Sequence, residues 1–332
     1  MTPPDRPRLI DVATRLNVAP STVSRALAGS DSVSASTRER VREMARELGY
    51  IVNPVASGLK RGRTLNIGLV AVMNHWYAGA VTSGIDRVAA DCGYDFVVMN
   101  SGGGSDEELL FERARRLGTR VDGVLILDVA PEQGALARLI ESLAVPVVTL
   151  GCSVPGVVSV RVDNHEIGGL AAGHLRELGH DEAAVLTFEP PTATAIDNGR
   201  LRAAGFAAAF GGSSRVTRLG RTDHSVRRDL ILDATDGVSS VFCTSDALAI
   251  ETVALLGQHG RNVPDDVSVV GVDDHPLSLP LGLTTIAQCP EMMGDAATHL
   301  LVELMNGVPA SDLDDVLVEV ELVRRSTSAE PG

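Results

Sequence analysis

Hydroxyl and guanidinium groups crowd the stretch VAPSTVSRALAG near the start of the chain, at residues 18–29. Ser21, Thr22 and Ser24 carry hydroxyl groups, and Arg25 carries a planar fork of N–H donors. Such groups hydrogen-bond to phosphate oxygens and to base edges in the major groove of DNA. The stretch is therefore a candidate nucleic-acid-binding element, provided that the surrounding chain holds it on a helix.

The distribution of charge supports this interpretation. The formal net charge of the chain is -14, yet residues 1–63 hold 11 Lys and Arg against 6 Asp and Glu. The remaining chain holds 18 Lys and Arg against 37 Asp and Glu. A basic head on an acidic body is typical of proteins that bind nucleic acid through one end. At 332 residues, the chain is also long enough for more than one domain.

Three short helices are predicted to position the polar stretch. The first carries an apolar stripe at helical spacing, formed by Leu9, Val12, Ala13 and Leu16. Residues 17–19 form a turn, and Pro20 suits the first position of a second helix, where its missing N–H costs nothing. A third helix begins after Ser34, a good N-cap, and stops at Gly49. This order predicts a helix-turn-helix head, the alternative being a plain small helical bundle.

Residues 9–50 read LIDVATRLNVAPSTVSRALAGSDSVSASTRERVREMARELGY, and they resemble the DNA-binding head of the lac repressor (LacI/GalR) family of bacterial transcription regulators. The motifs that carry the resemblance are DVA, VxxSTVSRxL, VSxxTRERV and ELGY. The resemblance implies base-edge contacts near Pro20, Ser21 and Arg25. It also implies phosphate contacts from Thr22, Ser24, Ser34, Thr37 and Tyr50.

Two positions depart from the family pattern. Ala19 stands where members usually have serine, and Arg8 stands where they have threonine or serine. Each change removes a side-chain N-cap, at about 1 kcal/mol of stability. Ala19 also removes a phosphate contact, which Arg8 could partly replace. We therefore expect a less stable head that still binds DNA.

Residues 53–64, NPVASGLKRGRT, resemble the hinge of the family. Their apolar face is formed by Val55, Ala56 and Leu59, over a helix too short to be stable alone. The resemblance implies that this helix forms on operator DNA beside the hinge of a second subunit, with Leu59 wedged into a base step of the minor groove. The alternative is a flexible basic linker.

From residue 65 onward, short β-branched strands alternate with amphipathic helices. Eight such strands, with a break in character near Val162, predict an α/β body of two Rossmann-like parallel-sheet subdomains. This resembles the periplasmic-binding-protein fold, in which the chain crosses between the lobes three times. The expected domains are a head at 1–52, a hinge at 53–64 and an effector-binding and dimerisation body at 65–332. Within the body, the N-subdomain spans about 65–161 and 289–320, and the C-subdomain about 162–288 and 321–328.

The sequence contains no recognisable set of catalytic or cofactor-binding residues. Neither G-x-G-x-x-G after the first strand, G-x-x-x-x-G-K-[ST] nor G-x-S-x-G occurs, and the histidines are scattered. We therefore expect no enzyme and no cofactor or metal. The four cysteines (Cys92, Cys152, Cys243 and Cys289) are far apart and are interpreted as reduced core thiols. With neither a secretion signal nor a membrane-spanning run, we expect a cytoplasmic protein without a membrane partner.

Ligands of such sheets bind beyond the carboxyl ends of the strands, between the lobes. Trp76 and Tyr77 follow the first strand and are candidates for stacking on a ligand ring, with core packing as the alternative. By resemblance, the segment GRLRAAGF places Arg202 at the ligand, although a surface arginine is the alternative. The segment VSVVGVDDHP likewise places Asp273 in the cleft, with a structural role for the neighbouring Asp274.

Three further residues complete the candidate pocket. The segment TSDALAIE carries Ser245 in place of the usual asparagine, and RTDHS brings His224 to a position where ring side chains often line the site. The family usually has an aspartate where PVVTLG ends in Gly151, and Asp128 at the end of VLILD is expected to compensate. The expected effector is a sugar or derivative, with a nucleoside as second choice.

Together these features predict a ligand-responsive transcription regulator. We expect it to be a repressor that binds a palindromic operator as a homodimer. The alternative is a solute-binding receptor of the same body fold. Such a receptor needs a signal peptide and has no use for a basic helical head.

Overall fold

The computed structural model describes residues 7–50, 63–73, 76–101, 107–129, 134–189, 197–220 and 224–332. It divides into two compact units, Met1–Leu65 and Asn66–Gly332. The hinge prediction for 53–64, including Val55, Ala56 and Leu59, lies outside the described residues apart from the last two positions. None of the helices described is long and apolar enough to cross a membrane.

The first unit contains the three predicted helices, α1 (Leu9–Leu16), α2 (Pro20–Leu27) and α3 (Ala35–Leu48). Asn17 ends α1 in the left-handed conformation, with φ of 52°, and so turns the chain into α2. One apolar core joins the helices, formed by the buried side chains of Val12, Ala13, Val23, Ala26, Val33, Val41 and Ala45. The helix-turn-helix prediction is confirmed.

The N-caps of the head also follow the sequence-based expectation. Ser34 caps α3, because its Oγ accepts from the N–H of Thr37 at 3.3 Å. In the described head, neither Arg8 before α1 nor Ala19 before α2 makes a side-chain cap hydrogen bond. Asp11 partly compensates at α1, since its Oδ2 accepts from the backbone N–H of Arg8 at 2.7 Å. The weaker start is therefore that of α2.

The second unit is built on two six-stranded sheets within the described residues. The strands of the first sheet are β1 (Asn66–Ala71), β2 (Asp95–Asn100), β3 (Gly123–Leu127), β4 (Val147–Leu150), β5 (Ser159–Arg161) and β11 (Val316–Leu317). Those of the second are β6 (Glu182–Phe188), β7 (Ser213–Leu219), β8 (Ser240–Cys243), β9 (Ser268–Asp273), β10 (Thr284–Ala287) and β12 (Glu321–Val323). Their orders are β11-β5-β4-β3-β1-β2 and β12-β10-β9-β8-β6-β7. All pairs are parallel except β10 with β12.

Helices connect the strands in both sheets. They are α4 (Trp76–Asp91), α5 (Glu107–Gly118), α6 (Ala135–Ser142), α7 (Asn164–Glu177), α8 (Asn198–Phe210), α9 (His224–Thr235), α10 (Asp246–Gln258) and α11 (Pro290–Met305), with a short 3₁₀ turn at Ala310–Asp312. The first lobe is the first sheet with its helices, and the second lobe is the second sheet with its helices. Because α11 packs on α4, β3 and β4, the chain crosses between the lobes after β5, after β10 and after β11.

Glycines allow α7 and α8 of the second lobe to pack backbone to backbone. A Cβ at Gly168 on α7 would overlap the carbonyl oxygen of Arg202, and one at Gly205 on α8 would overlap that of His165. Each helix is also capped by an aspartate. Asp163 accepts from two N–H groups of α7, and Asp197 accepts from one of α8. The first turns of both helices are therefore fixed side by side.

Two expectations need correction. The described residues contain four strands beyond the eight that the sequence predicts, namely β7, β10, β11 and β12. β7 is an edge strand that carries arginines, and the other three are only two to four residues long. The interpretation of all four cysteines as core thiols is also wrong. Cys243 is buried, whereas Cys92 and Cys289 are exposed, because they lie just after α4 and just before α11.

Restoring a hydroxyl at the start of α2 is expected to stabilise the head. The change Ala19→Ser supplies the missing N-cap acceptor and should slow amide hydrogen exchange in α2 by an amount equivalent to about 1 kcal/mol. The control is Ala28→Ser at the other end of the same helix, where a hydroxyl finds no free N–H of the first turn. Equal protection in the two variants would contradict the capping account.

Candidate functional site

Arg202 is buried near the start of α8 and lies at the centre of a polar cluster in the second lobe. Its Nε donates to Oδ1 of Asn164 at 2.8 Å, and its Nη1 donates to the carbonyl of Thr244 at 2.7 Å. Its Nη2 donates to Oε1 of Gln288 at 2.9 Å. These partners come from α7, from the end of β8 and from the end of β10. The guanidinium is thus held on neutral acceptors, and the alternative of a surface arginine is excluded.

Asp273 ends β9 beside this arginine without a direct hydrogen bond to it. The distance from its Oδ1 to Nη1 of Arg202 is 3.9 Å. Gln288 lies between them and donates from Nε2 to Oδ1 of Asp273 at 2.5 Å. Burial raises the pKa of Asp273 to about 7, and the positive charge of Arg202 only partly opposes that effect. The residue also has a φ of 125°, a strained conformation of the kind that is found at ligand sites.

Asp128 follows β3 in the first lobe and faces the same cluster. It accepts from Nδ2 of Asn198 at 3.2 Å, and Asn198 accepts in turn from Nδ2 of Asn164 at 3.2 Å. Hydrogen bonds therefore run from the first lobe through α8 and α7 to Arg202. Burial raises the pKa of Asp128 to about 6, opposed by the hydrogen bond from Asn198.

Gly151 leaves the space that the Asp128 side chain fills. The two residues follow neighbouring parallel strands, and the N–H of Asp128 donates to the carbonyl of Leu150 at 3.1 Å. A Cβ at Gly151 would overlap Oδ1 of Asp128. A side chain at the end of β4 would therefore require the Asp128 carboxylate to move, and the compensation by Asp128 stays a prediction.

The two aromatic candidates begin α4 and differ in their surroundings. Tyr77 donates its hydroxyl to Sδ of Met293 at 2.8 Å. Burial and then the charge of Asp128 raise its pKa. Trp76 is half-buried and meets His275 edge to face, with ring centroids 5.0 Å apart. Tyr77 thus packs in the core and lies near the cluster around Arg202. Trp76 contacts the second lobe through His275.

Of the two remaining candidates, Ser245 lies beside the cluster and His224 lies apart from it. Ser245 precedes α10, next to the carbonyl of Thr244 that binds Arg202. His224 is exposed at the start of α9, and its Nδ1 lies 2.6 Å from Nη2 of Arg227. Nothing in the described geometry links His224 to Arg202 or Asp273, so its place in the pocket stays a prediction.

Sequence reasoning missed Asn164, Asn198, Gln288 and His275. Gln288 directly follows β10, and the rule that ligands lie beyond strand ends would have found it had that short strand been recognised. Asn198 precedes Arg202 by one helical turn, so the two share a face of α8. His275 gave no signal, because its contact with Trp76 depends on how the lobes meet.

In the first unit, the predicted DNA-binding side chains lie on and around α2. Ser21 and Arg25 are exposed, and Nε of Arg25 donates to the carbonyl of Ser21 at 3.2 Å. Pro20 begins the helix, while Thr22 and Ser24 are half-buried. Near α3, the Ser34 and Thr37 hydroxyls lie 2.8 Å apart, and Tyr50 packs on the head core. Their contacts with DNA stay predictions.

Comparison with known proteins identifies both parts of the chain. Residues 8–53 match bacterial regulatory proteins of the lacI family, and residues 172–328 match the periplasmic binding protein-like domain. The HTH-type transcriptional regulator CelR of Thermobifida fusca is 31% identical and covers 97% of this chain and 98% of its own length. The chain belongs to the lacI family.

Two solved structures of this family resemble the whole chain. The lac repressor dimer bound to operator and the anti-inducer ONPF has a TM-score of 0.85 at 26% identity, over 98% of this chain and 100% of that one. The transcriptional regulator CelR–cellobiose complex has a TM-score of 0.68 at 28% identity, over 97% and 100%. The chain is therefore a DNA-binding, ligand-responsive transcription regulator with the predicted fold. These relatives are regulators rather than enzymes.

The raised pKa of Asp273 makes stability depend on pH. A carboxyl whose folded pKa is about 7, against 3.8 ordinarily, holds its proton more tightly when folded. Its contribution is most favourable below pH 4 and is lost as the pH rises to 7, at about 1.4 kcal/mol per unit of pKa difference. Asp273→Asn should therefore gain stability relative to the unmodified chain at pH 8 and not at pH 4.

Urea unfolding at the two pH values measures this difference. The control is Asp265→Asn, which changes an exposed carboxyl on the turn before the same strand. A stability difference between Asp273→Asn and the unmodified chain that is the same at both pH values would contradict the assignment.

Proposed function

We propose that this lacI-family regulator is a repressor that binds a near-palindromic operator as a dimer and is switched by a sugar or sugar derivative held between its lobes. The observation that carries the proposal is the cluster around Arg202, with Asp128 and Asp273 reaching it from different lobes. We assign Trp76, Tyr77, Ser245 and His224 to the same effector site as proposals. The site residues that the structure adds are Asn164, Asn198 and Gln288.

The chemistry of the cluster favours a ligand rich in hydroxyl groups. Asp128 and Asp273 both accept from side-chain amides, and burial raises the pKa of each because it outweighs the opposing charge of Arg202. Hydroxyl groups of a sugar can donate to each of these carboxylates, and the indole face of Trp76 can stack on a sugar ring. The solved complex of CelR with cellobiose supports the same class of ligand. A nucleoside is the second choice.

The head supports operator binding. Residues 8–53 match the lacI family, and the exposed Ser21 and Arg25 lie on the second helix of a helix-turn-helix, which enters the major groove in such motifs. We assign base contacts to Pro20, Ser21 and Arg25, and a minor-groove wedge to Leu59. A solute-binding receptor of the same fold has no use for this basic head, so that alternative is disfavoured.

The domain boundaries are proposals that the strand membership supports. We assign the head to 1–52, the hinge to 53–64 and the body to 65–332. In the body, β1–β5 and β11 lie in one sheet, and β6–β10 and β12 lie in the other. This membership suits an N-subdomain of about 65–161 and 289–320 and a C-subdomain of about 162–288 and 321–328.

Exposed apolar side chains in both lobes support a dimer. Val97 and Val98 lie on the edge strand β2 of the first lobe, at 39% and 41% exposure. In the second lobe, Leu277, Leu279 and Leu281 are 52%, 72% and 49% exposed on the loop after β9. An open sheet edge and a cluster of exposed leucines are surfaces that proteins usually cover. The solved lac repressor is described as a dimer on its operator.

Removing the Asp273 carboxylate should weaken effector binding and spare the operator. For Asp273→Ala, calorimetry with cellobiose as the first probe should show a loss of about 1.5 to 3 kcal/mol, because ligand hydroxyls lose a charged acceptor. A thermal-shift screen of sugars and nucleosides supplies another probe if cellobiose does not bind. Operator affinity without effector should hardly change, since the heads make the DNA contacts.

Asp265→Ala, an exposed carboxyl on the turn before the same strand, serves as the matched control and should bind both partners normally. Normal effector binding by Asp273→Ala would remove Asp273 from the site. Loss of operator binding by the ligand-free variant would show that the residue acts on folding or on the heads instead.

A charge in the leucine cluster should break the dimer. Leu279→Asp places a carboxylate on the most exposed of these side chains, so light scattering should report monomers. Gel-shift affinity for a two-half-site operator should fall with it, because a monomer meets one half-site. Val308→Asp, on an exposed turn outside both proposed faces, is the control and should remain dimeric. A dimeric Leu279→Asp would contradict this interface.

A further inference from the structure

The contact between Trp76 and His275 joins the two lobes beside the candidate effector site. Trp76 is the first residue of α4, soon after β1 of the first lobe, and His275 comes two residues after β9 of the second lobe. The ring centroids are 5.0 Å apart and the ring planes meet at 62°. Edge-to-face pairs with this spacing are attractive, since the positive edge of one ring meets the negative face of the other.

His275 is fixed within its own lobe. Its backbone N–H donates to Oδ2 of the buried Asp246 at 2.8 Å, and its carbonyl accepts from the N–H of Ser278 at 2.7 Å. Its ring Nδ1 accepts from the N–H of Leu277 at 3.1 Å. Asp246 also accepts from the hydroxyls of Ser278 and Thr285, both at 2.6 Å. The imidazole is therefore held in place by groups of its own lobe.

Trp76 is half-buried, and its indole meets this imidazole across the two lobes. It is also next in sequence to Tyr77, whose pKa is raised by burial and then by the charge of Asp128. The His275 ring is fixed on one lobe and contacts the Trp76 indole on the other. It can therefore set the orientation of this indole when a ligand binds. The hydrogen bond between Asn198 and Asp128 joins the same two lobes.

We propose that His275 is a positioning residue of the effector site, which holds the indole of Trp76 across the cleft in the orientation that stacks on a sugar ring. His275 itself need not touch the effector. The identity of the ligand rests on the proposed function. The contact between His275 and Trp76 rests on the structure alone. A preset aromatic wall lowers the entropy lost when a ring ligand binds, so effector affinity depends on the pair.

Two substitutions separate the ring contact from the loop contact of His275. His275→Asn keeps an acceptor close to the place of Nδ1, for the N–H of Leu277, and removes the ring. His275→Phe keeps a ring against Trp76 and removes the acceptor. His259→Asn is the control, because His259 is an exposed histidine that hydrogen-bonds to its own helix through the carbonyl of Leu255.

Trp76 is the single tryptophan of the chain, so its fluorescence reports this contact directly. In the full-length, ligand-free protein, acrylamide quenching should rise in His275→Asn and stay at the level of the unmodified chain in His275→Phe and His259→Asn. Calorimetry with cellobiose should show a loss of affinity of about three- to tenfold for His275→Asn alone, the range expected for one aromatic pair.

The outcomes distinguish this proposal from a purely structural role. If His275→Asn matches the unmodified chain in quenching and affinity while His275→Phe is impaired, His275 serves its loop and the proposal is overturned. If cellobiose fails to bind even the unmodified chain, the proposed effector class is wrong for that sugar, and the quenching measurement alone decides. Unchanged quenching in His275→Asn then overturns the proposal, and increased quenching supports it.

Discussion

The burial of one guanidinium is the constraint on which the candidate effector site depends. A buried charge is costly unless its donors are met, and Arg202 meets this requirement with Asn164, the Thr244 carbonyl and Gln288. These three acceptors come from a helix and from two strand ends, which must therefore converge on one point. The glycines that bring α7 and α8 together, and the aspartate caps that fix their first turns, serve this convergence.

The same arrangement leaves charge available for a ligand. Arg202 donates to neutral acceptors and lies 3.9 Å from Asp273, whose carboxylate accepts a hydrogen bond from the Gln288 amide. Asp128 approaches from the first lobe and is held by Asn198 of the second. A ligand that hydrogen-bonds to both carboxylates has different contacts when the lobes move apart. Such a difference is what allows an effector to shift an equilibrium between lobe arrangements and so act on the heads.

Local signals explain what the sequence could predict. The head helices follow from an apolar stripe, the proline at the start of α2 and the Ser34 cap, all of which act within a few residues. The body fold follows from repeated buried strands. Strand ends and family motifs predict Arg202, Asp273 and Asp128, and the structure brings these three together.

The missed residues depend on longer-range geometry. Gln288 follows a strand of four residues with two threonines, too short and polar to predict from its own pattern. His275 matters through Trp76, which is far away in sequence and lies on the other lobe. The exposed Cys92 and Cys289 show that a residue type with a strong preference for the core can still end or begin a helix at the surface.

Proton release on effector binding tests the central claim most directly. Burial keeps Asp273 partly protonated near neutral pH, since its pKa is about 7. Ligand hydroxyls that donate to the carboxylate favour its ionised form, so binding at pH 7 should release protons. Calorimetric titration in buffers of different ionisation enthalpy measures that number. The account predicts a release that disappears in Asp273→Asn, and a binding reaction without proton release, or with the same release in that variant, would contradict it.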